Sequence, residues 1–141
     1  MIRIFVPGEP IPKGRPRMTR TGHAYTPQKT RDFELKMSYV AIRTMRECGR
    51  DRLSGPLRVL MKVILPVPKS YSKKKAGDCL SQNILPISRP DLDNFIKCLD
   101  ALNGIVWEDD SQIVCLESWK VYGEKPGIQV EVKEYLSRTA G

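Results

Sequence analysis

The chain has 141 residues, 28% of them charged, and a formal net charge of +8 at pH 7. That length suits one domain with a core of its own, and no apolar run is long enough to cross a bilayer. Four cysteines without paired spacing and a single histidine, His23, argue against a zinc site and against a histidine-based nucleophile relay.

The charge is uneven. Residues 1–77 carry 18 Lys and Arg against 5 Asp and Glu, whereas residues 78–141 carry 6 against 11. A basic front and an acidic back suggest that one part holds a polyanion and the other a cation. Met1 to Val6 is too short an apolar stretch, and too soon broken by Pro7-Gly8, to be a signal peptide, so a cytoplasmic protein is expected.

Residues 2–6 read as a short strand with Ile2, Ile4 and Val6 on one side. Residues 7–26 form a Pro/Gly/Arg loop on which Lys13, Arg15, Arg17 and Arg20 ride. Prolines keep such a loop extended and present its cations in a row, which suits successive phosphates; a plain surface loop is the other reading. Thr26 as cap and Pro27 at the first position open a helix to about Gly49. Its apolar face is Phe33, Met37, Val40, Ala41, Thr44 and Met45. Residues 57–65 make a strand covered on both faces, stopped by Pro66 and Pro68.

Residues 69–88 are a basic insert loop. Lys73, Lys74 and Lys75 make a dense cationic spot beside Tyr71, fit either for DNA or simply for solvent. Then the chemistry changes. Arg89-Pro90-Asp91-Leu92-Asp93-Asn94-Phe95-Ile96-Lys97 is answered by Glu108-Asp109-Asp110. Paired carboxylates are the oxygen ligands that Mg²⁺ takes, and Mg²⁺ beside a lysine is common equipment for attacking a phosphodiester. Pro90 suits a first helical position, capped by Ser88 or Asp91. Leu92, Phe95, Ile96, Leu99 and Leu102 then recur with helical period, and Asn103-Gly104 closes the helix. Asp93, Lys97 and Asp100 share the opposite face, so Asp93 and Lys97 stand one turn apart. An Asp–Lys pair at that spacing is also an ordinary solvated salt bridge. Residues 111–122 and 128–133 alternate as two strands, expected to pair as an antiparallel hairpin, and the chain from Ser137 is expected to fray.

The order β-α-β-α-β-β points to a mixed α/β (α+β) fold over residues 1–141: about four strands in one mixed sheet, with two main helices packed on it.

Asp91-Leu92-Asp93-Asn94 with Lys97, then Asp100-Ala101-Leu102, then Trp107-x-Asp109-Asp110-x-Gln112-Ile113-Val114, resembles the RusA family of Holliday-junction resolvases. The Pro12-Lys13-Gly14-Arg15-Pro16-Arg17 stretch and the Lys69 to Lys75 run look like its Gram-positive and phage branch. The resemblance implies a Mg²⁺-dependent endonuclease, with Mn²⁺ as a substitute, acting on four-way DNA junctions in recombination and repair and leaving 5′-phosphate and 3′-hydroxyl ends. It also implies a homodimer, whose two-fold axis matches the near two-fold symmetry of a junction, and a prophage origin. On this reading Asp91, Asp93 and Asp110 hold the metal and Asp109 stands behind them. Lys97, held near Asp93, orients the attacking water or steadies transition-state charge. Lys13, Arg15, Arg17, Lys73, Lys74, Lys75 and Arg89 contact the DNA backbone. The competing expectations are a non-catalytic branched-DNA-binding module and a nuclease for other branched or duplex DNA.

Overall fold

The computed structural model describes residues 1–14 and 17–136. Its framework is a four-stranded mixed sheet built from β1 (Ile2–Pro7), β4 (Leu57–Leu65), β5 (Ile113–Tyr122) and β6 (Gly127–Glu134), in the order β1-β6-β4-β5. β6 runs antiparallel to both β1 and β4, and β5 runs parallel to β4. The mixed four-stranded sheet is the one expected.

Period-2 patterning decides which face is inside. Ile2, Ile4 and Val6 of β1, Leu57, Val59, Met61 and Val63 of β4, and Ile128, Val130 and Val132 of β6 are all buried, and the strand register puts them on one face. Helix α1 (Gln28–Cys48) lies on that face through Phe33, Met37, Val40, Ala41 and Met45. Phe95, Leu99 and Leu102 add a second helical layer from α3 (Leu92–Ile96) and the 3-10 turn that continues it, Lys97–Leu102. Each fully buried Leu, Ile or Phe side chain contributes roughly 1.5–3 kcal/mol of transfer free energy. The other face is open: Lys62 is exposed, Leu60 and Ile64 are only partly buried, and Arg58–Glu117 (2.9 Å) and Arg3–Glu131 (3.4 Å) pair across it. β4 is therefore covered on one side rather than both.

Four other expectations change. The last two strands are not a hairpin, because β4 stands between them. β6 buries Ile128, Val130 and Val132 completely and takes a central place, whereas β5 leaves Val114 and Trp119 exposed and suits an edge. The connection crosses the end of β4, where Gly123 N–H donates to Leu65 O (3.0 Å); a Cβ at Gly123 would sit 2.5 Å from Ile64 Cγ2. α1 begins one residue late, with Pro27 at the N-cap position and Gly49 closing it in the left-handed conformation. The 7–26 loop contains a small ribbon, β2 (Arg17–Met18) against β3 (Ala24–Tyr25). The 69–88 loop contains α2 (Lys73–Leu80), whose N-cap Ser72 accepts from Lys75 N–H; a Ser cap before a lysine run overrides the loop reading. The fraying expected from Ser137 onward lies outside the described residues. Among the described residues no helix is long and apolar enough to cross a membrane.

Candidate active site

Asp91 is the N-cap residue of α3, whose first turn starts two positions later than a start at Pro90 would give, and the Arg89–Pro90 peptide bond is cis. The Asp91 backbone does the capping: Asn94 N–H donates to Asp91 O at 3.1 Å, and the carboxylate makes no cap bond. Asp93 follows in the first turn. Both carboxylates are exposed. Neither has a hydrogen bond or ion pair with another described residue.

Lys97 is exposed and its Nζ donates to Asn94 Oδ1 at 3.2 Å. The expected Asp93–Lys97 side-chain pair is thus replaced by a contact one residue on, at i, i+3, although the backbone between them is α-helical, with Lys97 N–H donating to Asp93 O. Asn94 also anchors the front of the chain. Its carbonyl accepts from the backbone N–H of Lys13 at 2.8 Å, which docks the root of the basic arm on α3.

The Lys13 side chain turns inward. Its Nζ lies 2.7 Å from Asp100 Oδ2 and 3.3 Å from Glu34 Oε1. Only the Asp100 contact has hydrogen-bond geometry; Glu34 Oε1 is buried without one. Burial alone would lower the Lys13 pKa, but the hydrogen bond and charge of Asp100, joined by Glu34, outweigh it and hold the ammonium above its usual value. Lys13 therefore sits in an internal ion pair. Beneath it Cys98 is a buried free thiol, pushed up to about 12 by burial and by the charges of Asp100 and Glu34.

The acidic turn is built differently. Trp107 is fully buried and its indole N–H donates to Asn103 Oδ1 at 2.6 Å. Asp109 caps the short 3-10 turn Asp110–Gln112 by accepting from Ser111 N–H (3.1 Å). Gln112 Oε1 closes the motif from the other end, accepting from the amides of Glu108 (2.9 Å) and Asp109 (3.1 Å), a capping box. Hydrogen bonds from the Ser111 side chain and amide hold the Asp109 carboxyl below its usual range. Asp109 is occupied as a cap, while the neighbouring Asp110 is exposed and has no partner among the described residues. This turn packs against the 3-10 turn Lys97–Leu102, and α3 packs against β5.

Asp91, Asp93 and Asp110 are thus carboxylates free for a cation. Among the described residues, however, no three His, Cys, Asp or Glu groups stand close enough to hold one metal ion together; Asp110 is not joined to the Asp91–Asp93 pair in one cluster. The donor chemistry still fits Mg²⁺, which commonly takes one or two carboxylates and completes its shell with water and substrate phosphate.

Arg89 apart, the remaining expected positions lie on other segments. Lys73, Lys74 and Lys75 ride on the first turn of α2, and Lys75 Nζ lies 3.9 Å from the Tyr71 ring centroid, which covers the ring expected to stack on a base. Arg89 is exposed just before Asp91. Arg15 lies outside the described residues, and Arg17 opens the ribbon, its side chain outside them. Sequence patterning missed Lys120, whose Nζ donates to Ser88 O and Pro90 O, both at 3.0 Å; the available signal was a lysine in phase with inward-facing Tyr122.

The family model for the endodeoxyribonuclease RusA matches residues 7–133. A Bacillus subtilis (strain 168) protein, "Uncharacterized protein YqaN", is 37% identical over 139 residues, covering 94% of this chain and 96% of its own. A Lactococcus phage r1t protein, "Crossover junction endodeoxyribonuclease rusA", is 51% identical over 49 residues, covering 33% of this chain and 37% of its own. With the match spanning both the basic arm and the two acidic segments, the chain belongs to the RusA family of endodeoxyribonucleases.

Proposed function

We propose that this protein is a Mg²⁺-dependent endonuclease that cuts four-way DNA junctions symmetrically as a homodimer, serving recombination and repair in the cytoplasm of a Gram-positive host or its prophage. The observation that carries the reading is the contrast among the acids. Asp100 and Asp109 are taken up by Lys13 and by the Ser111 amide, while Asp91, Asp93 and Asp110 are left to solvent beside them. Unpaired carboxylates two residues apart, as Asp91 and Asp93 are, are ready-made oxygen ligands for a hard cation. Junction choice rests on the phage relative named for crossover junctions.

Asp91 and Asp93 would hold the cation from the start of α3, and Asp110 would complete the set from the acidic turn only once bound metal and DNA draw the two segments together. Mn²⁺ would serve in place of Mg²⁺. The bound ion would neutralise charge on the phosphodiester and acidify water for in-line attack. Lys97, its ammonium steadied by Asn94, would counter the negative charge that grows on the phosphoryl oxygens. Arg89, Lys73, Lys74 and Lys75, with Arg15 and Arg17 of the arm, would grip backbone phosphates. Lys13 would fix the root of that arm.

The test is cleavage of four-way, three-way and linear DNA with Mg²⁺, Ca²⁺ or chelator. Metal-dependent, paired nicks in the four-way substrate support the proposal. Tight binding with no cleavage at any metal concentration would point to a non-catalytic junction-binding module. Equal cutting of linear duplex would point to a general nuclease.

A further inference from the structure

We infer that Lys120 is a positioning residue that fixes Asp91 by clasping the main chain just ahead of it; the inference rests on the nuclease reading above. Lys120 lies on β5 opposite Val63 of β4, and Val63 is fully buried on the face the helices cover. Lys120 is half-buried there at the edge of the sheet, and its ammonium can donate up to three hydrogen bonds. The fold answers with two carbonyl oxygens, Ser88 O and Pro90 O, each 3.0 Å from Nζ. These flank Arg89, so the ammonium holds the chain on both sides of one residue.

The clasped segment has few other restraints. Residues 84–91 form neither helix nor strand, and Leu85, Ile87, Ser88 and Arg89 are exposed, Ile87 at 96%. Pro90 is followed directly by Asp91, whose carboxylate has no bond of its own to orient it. Its position is inherited from the backbone. Lys120 ties that backbone to β5, which is paired along its length with β4. Groups behind a metal ligand typically contribute 10–100-fold to affinity or rate, and a displacement of about 1 Å can cost about 10²-fold in rate.

The experiment uses the full chain with Lys120→Met, and Lys120→Arg as the conservative variant. Four quantities are read: cleavage rate on four-way junctions, the Mg²⁺ concentration giving half-maximal rate, junction affinity in Ca²⁺, and amide hydrogen exchange across residues 87–94. Lys120→Met should lower the rate about 10–100-fold, raise the Mg²⁺ requirement, and speed exchange in that segment. Junction affinity should stay within about threefold, the size expected when no phosphate contact is lost. Lys120→Arg, with donors for both carbonyls, should recover most of the rate and the protection. Unchanged cleavage, unchanged exchange, or affinity falling in step with rate would overturn the inference, the last marking Lys120 as a phosphate contact. If Lys120→Met does not fold, Lys120→Gln, which keeps a donor but cannot span both carbonyls, is judged on the same four readouts. Wild-type protein that cuts no DNA would sink the nuclease reading instead, and exchange would still decide whether Lys120 holds the segment.

Discussion

Lys13 and Asp100, 87 residues apart in sequence, meet in a 2.7 Å hydrogen bond that joins the basic arm to the helical layer carrying the acidic motif. The same lysine docks its backbone N–H on Asn94, so one residue sets both where the arm begins and what α3 rests against. Removing the ammonium leaves Asp100 and Glu34 facing each other without a cation. Lys13→Met should lower unfolding free energy by roughly 1 kcal/mol, between an exposed pair and a charge-assisted buried bond. Adding Asp100→Asn should return part of it, and urea titration of the double-mutant cycle measures the coupling. Because the folded-state pKa of Lys13 is raised above 10.5, the pair's contribution is complete below about pH 10.5. It is lost as pH rises through the folded value.

The free carboxylates give the sharpest functional test. Asp91→Asn and Asp93→Asn should each abolish cleavage yet keep or strengthen junction binding, because a charge that repels phosphate is removed. Gel-shift titration in Ca²⁺ and product analysis in Mg²⁺ separate the two. Equal loss of binding and cutting would mark the aspartates as structural. Lys97→Ala should lower the cleavage rate about 10²-fold, the usual scale for one transition-state donor, with unchanged thermal unfolding.

Much of this was legible in the sequence, for reasons visible in particular residues. The alternation Ile2-Ile4-Val6 and Ile128-Val130-Val132 named the inner face correctly, since a one-residue slip would expose every one of these side chains. Pairing partners were not legible. Local pattern says that β5 and β6 are strands and is silent on whether β4 lies between them, because that is settled by how completely each strand is buried. The site divides in the same way. Asp91-x-Asp93 and Glu108-Asp109-Asp110 announced themselves by composition. Which acids are free, and which are spent on Lys13 or on the Ser111 amide, depends on contacts between distant segments. The helical spacing put Asp93 and Lys97 one α-helical turn apart, as they are, but it could not say that the ammonium would turn to Asn94 instead.

Adjacent Asp109 and Asp110 should separate cleanly on substitution. Asp109→Ala removes the cap of the 3-10 turn and should lower Tm measurably. Its depressed pKa adds a pH signature. The cap's contribution is present above the unfolded carboxylate value near 3.8 and is lost as pH falls through the folded one. Asp110→Asn removes no bond to a described residue, so Tm should hold while Mg²⁺-dependent cleavage is lost. A stable, fully active Asp110→Asn protein would remove Asp110 from the metal site.

The thiols should report on the core beneath Lys13. Cys48 is exposed and Cys98 is buried, with its thiol pushed up to about 12 by burial and by the nearby Asp100 and Glu34 charges. At pH 8 an alkylating reagent should label Cys48 readily and leave Cys98 untouched until the protein unfolds, since only the thiolate reacts. Between about pH 9 and 12 the folded state keeps a proton at Cys98 that the unfolded chain gives up. That contribution to stability is therefore full below about 9 and declines as pH climbs. Cys98→Ala should flatten the alkaline slope of unfolding free energy relative to wild type, with Lys13 and Tyr122, whose pKa values are also raised, left to contribute to what slope remains. Rapid labelling of Cys98 in the native protein at pH 8 would mean that the layer joining the arm to the acidic motif opens far more readily than its packing implies.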